Sequence, residues 1–192
     1  MSRKIKFPAI KDTDIYKLEK FINEKPTSYQ DARSKLVLSL FYYQGIKTSI
    51  AQRLTYENYN IKDNILIFPK DNFLTEYIQI IPEDKTRNLL QYLQKFKLNS
   101  AQRLIRNVDY SKKSAGLPIT VRSLQRLLRE LSKQLNLSMP LNPRSLRHLC
   151  AVRITAELLM HKSLDHLIGR VSPWVFTEYK RLSGNPRKQG IF

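Results

Sequence analysis

Cysteine is nearly missing from this chain: of 192 residues only Cys150 is one. An intramolecular disulfide and a cysteine-built zinc site are therefore excluded. In the apolar stretch Leu149-Cys-Ala-Val152 the single thiol reads as buried and unreactive. Glycine totals 5, and no internal repeat or low-complexity segment occurs. No apolar run approaches the roughly 20 residues that a membrane-spanning helix needs, and Met-Ser-Arg-Lys-Ile-Lys lacks the apolar centre of a secretory signal. His148, His161 and His166 form no metal-ligand spacing and read as surface or capping residues. Neither a metal nor any other cofactor is called for.

Acidic residues are also few. Sixteen Asp and Glu face 34 Lys and Arg, a net charge of +18. A surplus of that size attracts polyanions and makes their binding depend steeply on salt. A histone-like or ribosomal protein would combine such charge with little core, whereas 42% of this chain is hydrophobic, enough for one ordinary core. A nucleic-acid partner and no membrane partner follow. The setting expected is a reducing compartment that holds DNA, the bacterial cytoplasm with its nucleoid or an organelle with its own genome.

Periodicity predicts a mainly α chain with a small antiparallel β-sheet. Residues 1–10 read as a basic extended leader. Asp12-Thr13-Asp14 offers N-cap groups to a helix with Ile15, Leu18, Phe21 and Ile22 on one stripe. A second helix runs from Tyr29 to Tyr43 with Leu36, Val37, Leu40 and Phe41 inward. Gly45 ends it, and a short helix follows through Ile50 and Leu54. Between Asn60 and Pro82 the period changes: Ile65 and Ile67, then Ile78 and Ile80, alternate around Pro69-Lys-Asp-Asn, as in a hairpin. Thr86 to Phe96 is helical again. Residues 97–118 read as polar and contain Ser111-Lys-Lys-Ser-Ala-Gly, a mobile basic loop. Pro118-Ile-Thr120 caps an amphipathic helix from Val121 to Leu135, and Pro140 and Pro143 bracket the start of the last clear one.

Two features carry function. On the helix from Val121, residues Arg122, Arg126, Arg129 and Lys133 recur at steps of four, three and four. They form a basic ridge that is either a solvated face or a track for a phosphate backbone. The second is a constellation. Arg144-Ser-Leu-Arg147-His148 is followed 23 positions after Arg147 by Gly169-Arg170, and Tyr179 stands 9 positions after Arg170. Upstream lies Gln44-Gly-Ile-Lys47-Thr-Ser-Ile50-Ala-Gln-Arg-Leu54-Thr-Tyr56-Glu-Asn58.

That order and spacing resemble the tyrosine recombinase (phage integrase) family over residues 11–182, leaving 183–192 as a tail. The family reads His-x-x-Arg-His, then Leu-Gly-His, then a nucleophilic Tyr. Its upstream segment reads Thr-Gly-Leu-Arg-Ile-Ser-Glu. The resemblance implies a catalytic domain that cuts double-stranded DNA, storing the bond as a 3′-phosphotyrosyl link so that rejoining needs no cofactor. It implies Tyr179 as nucleophile, Arg147 as a fork on the phosphate, Arg144 and Arg170 as assisting groups, and Lys70 in the hairpin as acid to the leaving oxygen. Lys70 reads equally well as ordinary hairpin surface.

Lys47 takes the place of the family's first Arg, and an ammonium cannot reproduce a planar two-donor fork. His148 is counted with Arg122, Arg126, Arg129 and Lys133 among the DNA-facing residues. The family's usual N-terminal clamp domain finds no counterpart here, so the domain is expected to hold DNA from one side and to work with further copies of itself. Two other readings stay open: a relative that binds DNA without cutting it, and a basic RNA-binding protein.

Overall fold

The computed structural model describes residues 10–68, 78–80, 82, 84–99, 102–107, 117–158, 177 and 179–181. Among these residues six α-helices of a turn or more and three short strands follow in the order α1 (Asp12–Asn23), α2 (Tyr29–Tyr42), α3 (Thr48–Arg53), β1 (Tyr59–Asn60), β2 (Ile65–Phe68), β3 (Ile78–Ile80), α4 (Asp84–Leu93), α5 (Val121–Gln134) and α6 (Pro143–Leu158). The strands form one antiparallel sheet in the order β1-β2-β3, with Leu66 opposite both Tyr59 and Ile80. Leu66 and Phe68 of β2 face the core, and Ile65 and Ile67 are half-buried. The mainly α character and the small antiparallel sheet are thus as the periodicity predicts.

α2 is the centre. It packs against α1, α4, α5 and α6, and every residue from Ser34 to Tyr42 is buried. A helix covered on all sides has no polar face to display, so the four-residue stripe expected at 36–41 widens to include Leu38 and Ser39. Ser39 meets its need for a partner by bonding the buried Thr86 hydroxyl of α4. The end of α2 is set by Gly45, which takes the left-handed conformation (φ 58°) while Ile46 N–H donates to Leu40 O at 3.3 Å. Without a Cβ, glycine adopts this φ at no steric cost. The chain then turns straight into α3.

Two local readings need correction. Asp12 and Asp14 do not cap α1, because Lys11 is its N-cap and makes no side-chain cap bond. Asp14 is instead buried (2% exposed) and accepts from Ser138 N at 3.0 Å and Ser138 Oγ at 2.5 Å. A carboxylate on the inward face is worth more as an anchor for the α5–α6 connection than as a cap in solvent. That connection begins with a Schellman closure, Leu137 N–H to Ser132 O and Asn136 N–H to Lys133 O, with Asn136 at φ 48°. Lys17 Nζ donates to Asn136 O at 2.6 Å beside it.

The second correction concerns 97–118. Read as polar, this stretch buries Leu104 and Ile105 fully, while Ser111-Lys-Lys-Ser-Ala-Gly lies outside the described residues. Leu104 N–H donates to Leu54 O, and Thr55 bridges Arg103 as an isolated antiparallel pair. Arg106 stacks 4.7 Å over the Tyr29 ring. Charge in the composition concealed a two-residue apolar anchor. At 120 the expectation stands: Thr120 is the N-cap of α5, its side chain accepting from Ser123 N.

Replacing Asp14 by Ala should lower unfolding free energy by about 1–3 kcal/mol, because two Ser138 donors lose their acceptor in a part-buried site. Urea denaturation of the two proteins measures it, and Ser138→Ala, which keeps the backbone bond, should cost less.

Candidate active site

The site is built on the last turn of α2 and the first turns of α6. An α-helix leaves its final carbonyls without intrahelical donors and its C-terminal end partly negative. Here α6 takes the C-cap carbonyl of α2 and one in the turn that follows. Tyr43 O accepts from Cys150 Sγ at 3.3 Å and from Arg153 Nη2 at 3.1 Å. Gly45 O accepts from Arg147 Nε at 2.9 Å. Two cations lie near the Tyr43 ring, Arg153 at 5.2 Å and Lys85 at 5.6 Å from its centre. Arg147 is thereby held through its Nε, the one guanidinium nitrogen outside the two-pronged fork.

α6 presents Arg144 and His148 four residues apart, which puts them side by side on one face. Arg144 Nε donates to His148 Nε2 at 3.3 Å. On the other edge of the ring, His148 Nδ1 lies 2.6 Å from the Tyr179 hydroxyl. Tyr179 is helical and buried, 3% exposed. A tyrosine 31 positions downstream of His148 in sequence is thus seated directly against the Arg144–His148 pair.

The electrostatics follow from burial and from two guanidiniums. Burial pushes the Tyr179 phenol up to about 12, against the downward pull of Arg147 and Arg144. The phenol is protonated at neutral pH. Burial also draws His148 down to about 4, and the Arg144 and Arg147 charges act in the same direction. The imidazole is therefore neutral at pH 7. Burial lowers Arg147 as well, though the neighbouring Tyr179 opposes it, and an arginine keeps its charge throughout the physiological range.

Of the residues singled out from the sequence, the structure brings together Arg144, Arg147, His148 and Tyr179. Lys47 is half-buried at the N-cap of α3, two residues beyond the Gly45 carbonyl that holds Arg147. Arg122, Arg126, Arg129 and Lys133 are all exposed on α5. Glu130 interrupts that ridge, with a carboxylate oxygen 3.7 Å from Arg126 Nε, a solvent-exposed pair of small energetic weight. Lys70 and Arg170 lie outside the described residues, as do His161, His166 and the 183–192 tail. Among the described residues no group of three His, Cys, Asp or Glu side chains could hold a metal ion, and no helix is long and apolar enough to cross a membrane.

Sequence reasoning placed His148 among surface or DNA-facing residues; it is half-buried and touches the phenol. The available signal was its place one turn after Arg144. The Gly45 and Tyr43 carbonyls left no signal, since backbone acceptors carry no residue type.

No family model matches the chain, and no curated protein sequence does. Solved structures do. XerA recombinase superposes with a TM-score of 0.70 at 15% identity over 94% of this chain and 60% of its own. XerH site-specific recombinase, bound to palindromic difH substrate in a post-cleavage complex, gives 0.70 at 15% over 95% of this chain and 52% of its own. A lambda integrase dimer bound to a COC′ core site gives 0.59 at 16% over 93% of this chain and 61% of its own. The chain spans between about half and two thirds of the length of these proteins. Its fold is that of a tyrosine recombinase catalytic domain.

The His148 shift has a direction that can be checked. A ring with a folded pKa near 4 and an ordinary value of 6.5 contributes stability that is complete above pH 6.5 and is lost as pH falls toward 4. Urea unfolding followed from pH 7 to pH 4 should show a smaller acid loss in His148→Gln than in the wild type.

Proposed function

We propose that this chain binds duplex DNA and breaks and rejoins a strand through a 3′-phosphotyrosyl bond at Tyr179. The observation that carries the reading is the convergence of Arg144, Arg147 and His148 on the hydroxyl of a tyrosine remote in sequence. Neighbours of the same fold support the substrate class: XerH is bound to difH DNA, the Tn1549 transposon integrase to circular intermediate DNA, and lambda integrase to its core site.

In the reaction the Tyr179 oxygen attacks the scissile phosphorus as the bond to the 5′ oxygen breaks. The phenolic proton leaves to solvent, and the 5′ oxygen takes a proton from an acid, the role assigned to Lys70. Negative charge spreads over the non-bridging oxygens in the transition state, and preorganised cations are the main source of stabilisation there. Arg147 suits this task because the Gly45 carbonyl fixes the orientation of its guanidinium through Nε. Arg144, Lys47 and Arg170 complete the set of phosphate donors. Rejoining reverses the steps with a 5′ hydroxyl as nucleophile, so no nucleotide cofactor is consumed.

Binding rests on the +18 charge and the exposed cations of α5. Assembly of several copies on DNA is part of this proposal. The place of action is a compartment that holds DNA, the nucleoid-containing cytoplasm or an organelle with a genome.

A second reading has one specific observation in its favour. Lys47 stands where the resemblance calls for a guanidinium fork, and loss of one oxyanion donor typically costs about 10²–10³ in rate. A chain in which that loss is decisive binds DNA without cutting it, in a regulatory or architectural role.

A nicked suicide substrate carrying the correct site separates the two. The wild type should trap a covalent adduct that Tyr179→Phe abolishes, and Lys47→Arg should form it faster. No adduct from either the wild type or Lys47→Arg would establish the non-cleaving reading. In a separate measurement, duplex affinity should fall steeply with salt, and neutralising Arg122, Arg126 and Arg129 together should flatten the log–log slope by about 3. Equal or tighter binding to single-stranded RNA would favour an RNA-binding protein instead.

A further inference from the structure

We propose that Arg144 locks the His148 ring in its Nδ1–H form, and that this N–H donates to the Tyr179 oxygen and stabilises the phenolate during strand attack and release. This rests on Tyr179 being the nucleophile, and it assigns His148 a catalytic part and Arg144 a positioning one. An arginine Nε carries a hydrogen and never accepts. The 3.3 Å contact from Arg144 Nε therefore fixes His148 Nε2 as the acceptor. A neutral imidazole has one ring proton, which must then sit on Nδ1. The Tyr179 oxygen, 2.6 Å from Nδ1, is the acceptor of that proton.

A charged ring would place an Nε2–H against the Arg144 Nε–H and add a third positive charge beside Arg144 and Arg147. Burial and both guanidiniums oppose this, and the ring stays neutral. With its only proton already pointed at the phenol oxygen, His148 is no base for that phenol. It exchanges no proton in the cycle. As the P–O bond to Tyr179 forms and the P–O5′ bond breaks, the phenolic proton leaves to solvent while the Nδ1–H bond shortens onto the developing charge. In the reverse step the departing phenolate is received by the same donor.

The choice of arginine at 144 gains a reason. The family's usual histidine could hold either proton arrangement there, whereas a guanidinium is a donor at every accessible pH. Arg144 is exposed, and its terminal nitrogens make no hydrogen bond among the described residues, so the lock at Nε leaves them available for a phosphate.

Ring ¹⁵N shifts of the wild-type protein without DNA read the tautomer directly. His148 should be neutral at pH 7 with hydrogen on Nδ1, and Arg144→Met should release a substantial Nε2–H population. A fluorinated tyrosine placed at 179 brings the phenol's titration into the range the fold tolerates. Its midpoint should rise by about one unit, tenfold less phenolate at a given pH, in His148→Leu. His148→Asn puts an amide N–H close to the former Nδ1 and should hold the midpoint near the wild-type value. On the suicide substrate His148→Leu should slow adduct formation by about 10²-fold, with His148→Asn recovering most of it. An Nε2–H tautomer in the wild type, or a midpoint unmoved in His148→Leu, overturns the proposal. If the two DNA-free readouts come out as expected and the wild type still forms no adduct, the hydrogen bond stands and the cleavage reading falls.

Discussion

Helix α2 and the turn after it end in carbonyls that have no helical donor, and helix α6 is fastened to them. Tyr43 O takes Cys150 and Arg153, and Gly45 O takes Arg147. Three donors from one helix meet the negative end of another, two of them cationic, so the contact satisfies buried polar groups and the helix dipole together. The register of α6 on α2 follows from it. Once that register is set, Arg144 and His148 face Tyr179, and Arg147 faces the turn that leads to Lys47. A shift of α6 by one residue would rotate these side chains by about 100° and disperse the site.

This arrangement couples folding to chemistry. Arg147 is half-buried, and its Nε bond to Gly45 gives a desolvated cation an acceptor. The same bond pre-orients the fork, which lowers the reorganisation that phosphate binding would otherwise require. The His148–Tyr179 contact works alike. It supplies a partner for a buried hydroxyl and leaves a neutral donor at the atom that is to carry charge. Both devices use groups that must be satisfied in any case.

Electrostatics divide the molecule by depth. The ridge of α5 is fully solvated, and its charges act through the counterions they displace, each contributing modestly and in a salt-dependent way. The Arg144–Arg147–His148–Tyr179 group is partly withdrawn from water, and there burial raises the phenol against the pull of both guanidiniums and lowers the imidazole with their help. Recruitment and reactivity are thus assigned to different environments of one basic chain.

The sequence alone determined the mainly α class, the hairpin around 65–80, the end of α2 at Gly45, the cap at Thr120 and the spacing that pairs Arg147 with Tyr179. Each is a local matter of period, backbone freedom or interval. It could not place Asp14, because a carboxylate near a helix start caps or anchors depending on what lies opposite. Nor could it find Leu104 and Ile105 in a basic stretch, where composition outweighs two apolar residues. Only the tertiary structure decided the surroundings of His148. Its neighbours in space come from its own helix and from a tyrosine 31 positions on, and whether an imidazole meets water or a phenol depends on packing that no local pattern encodes.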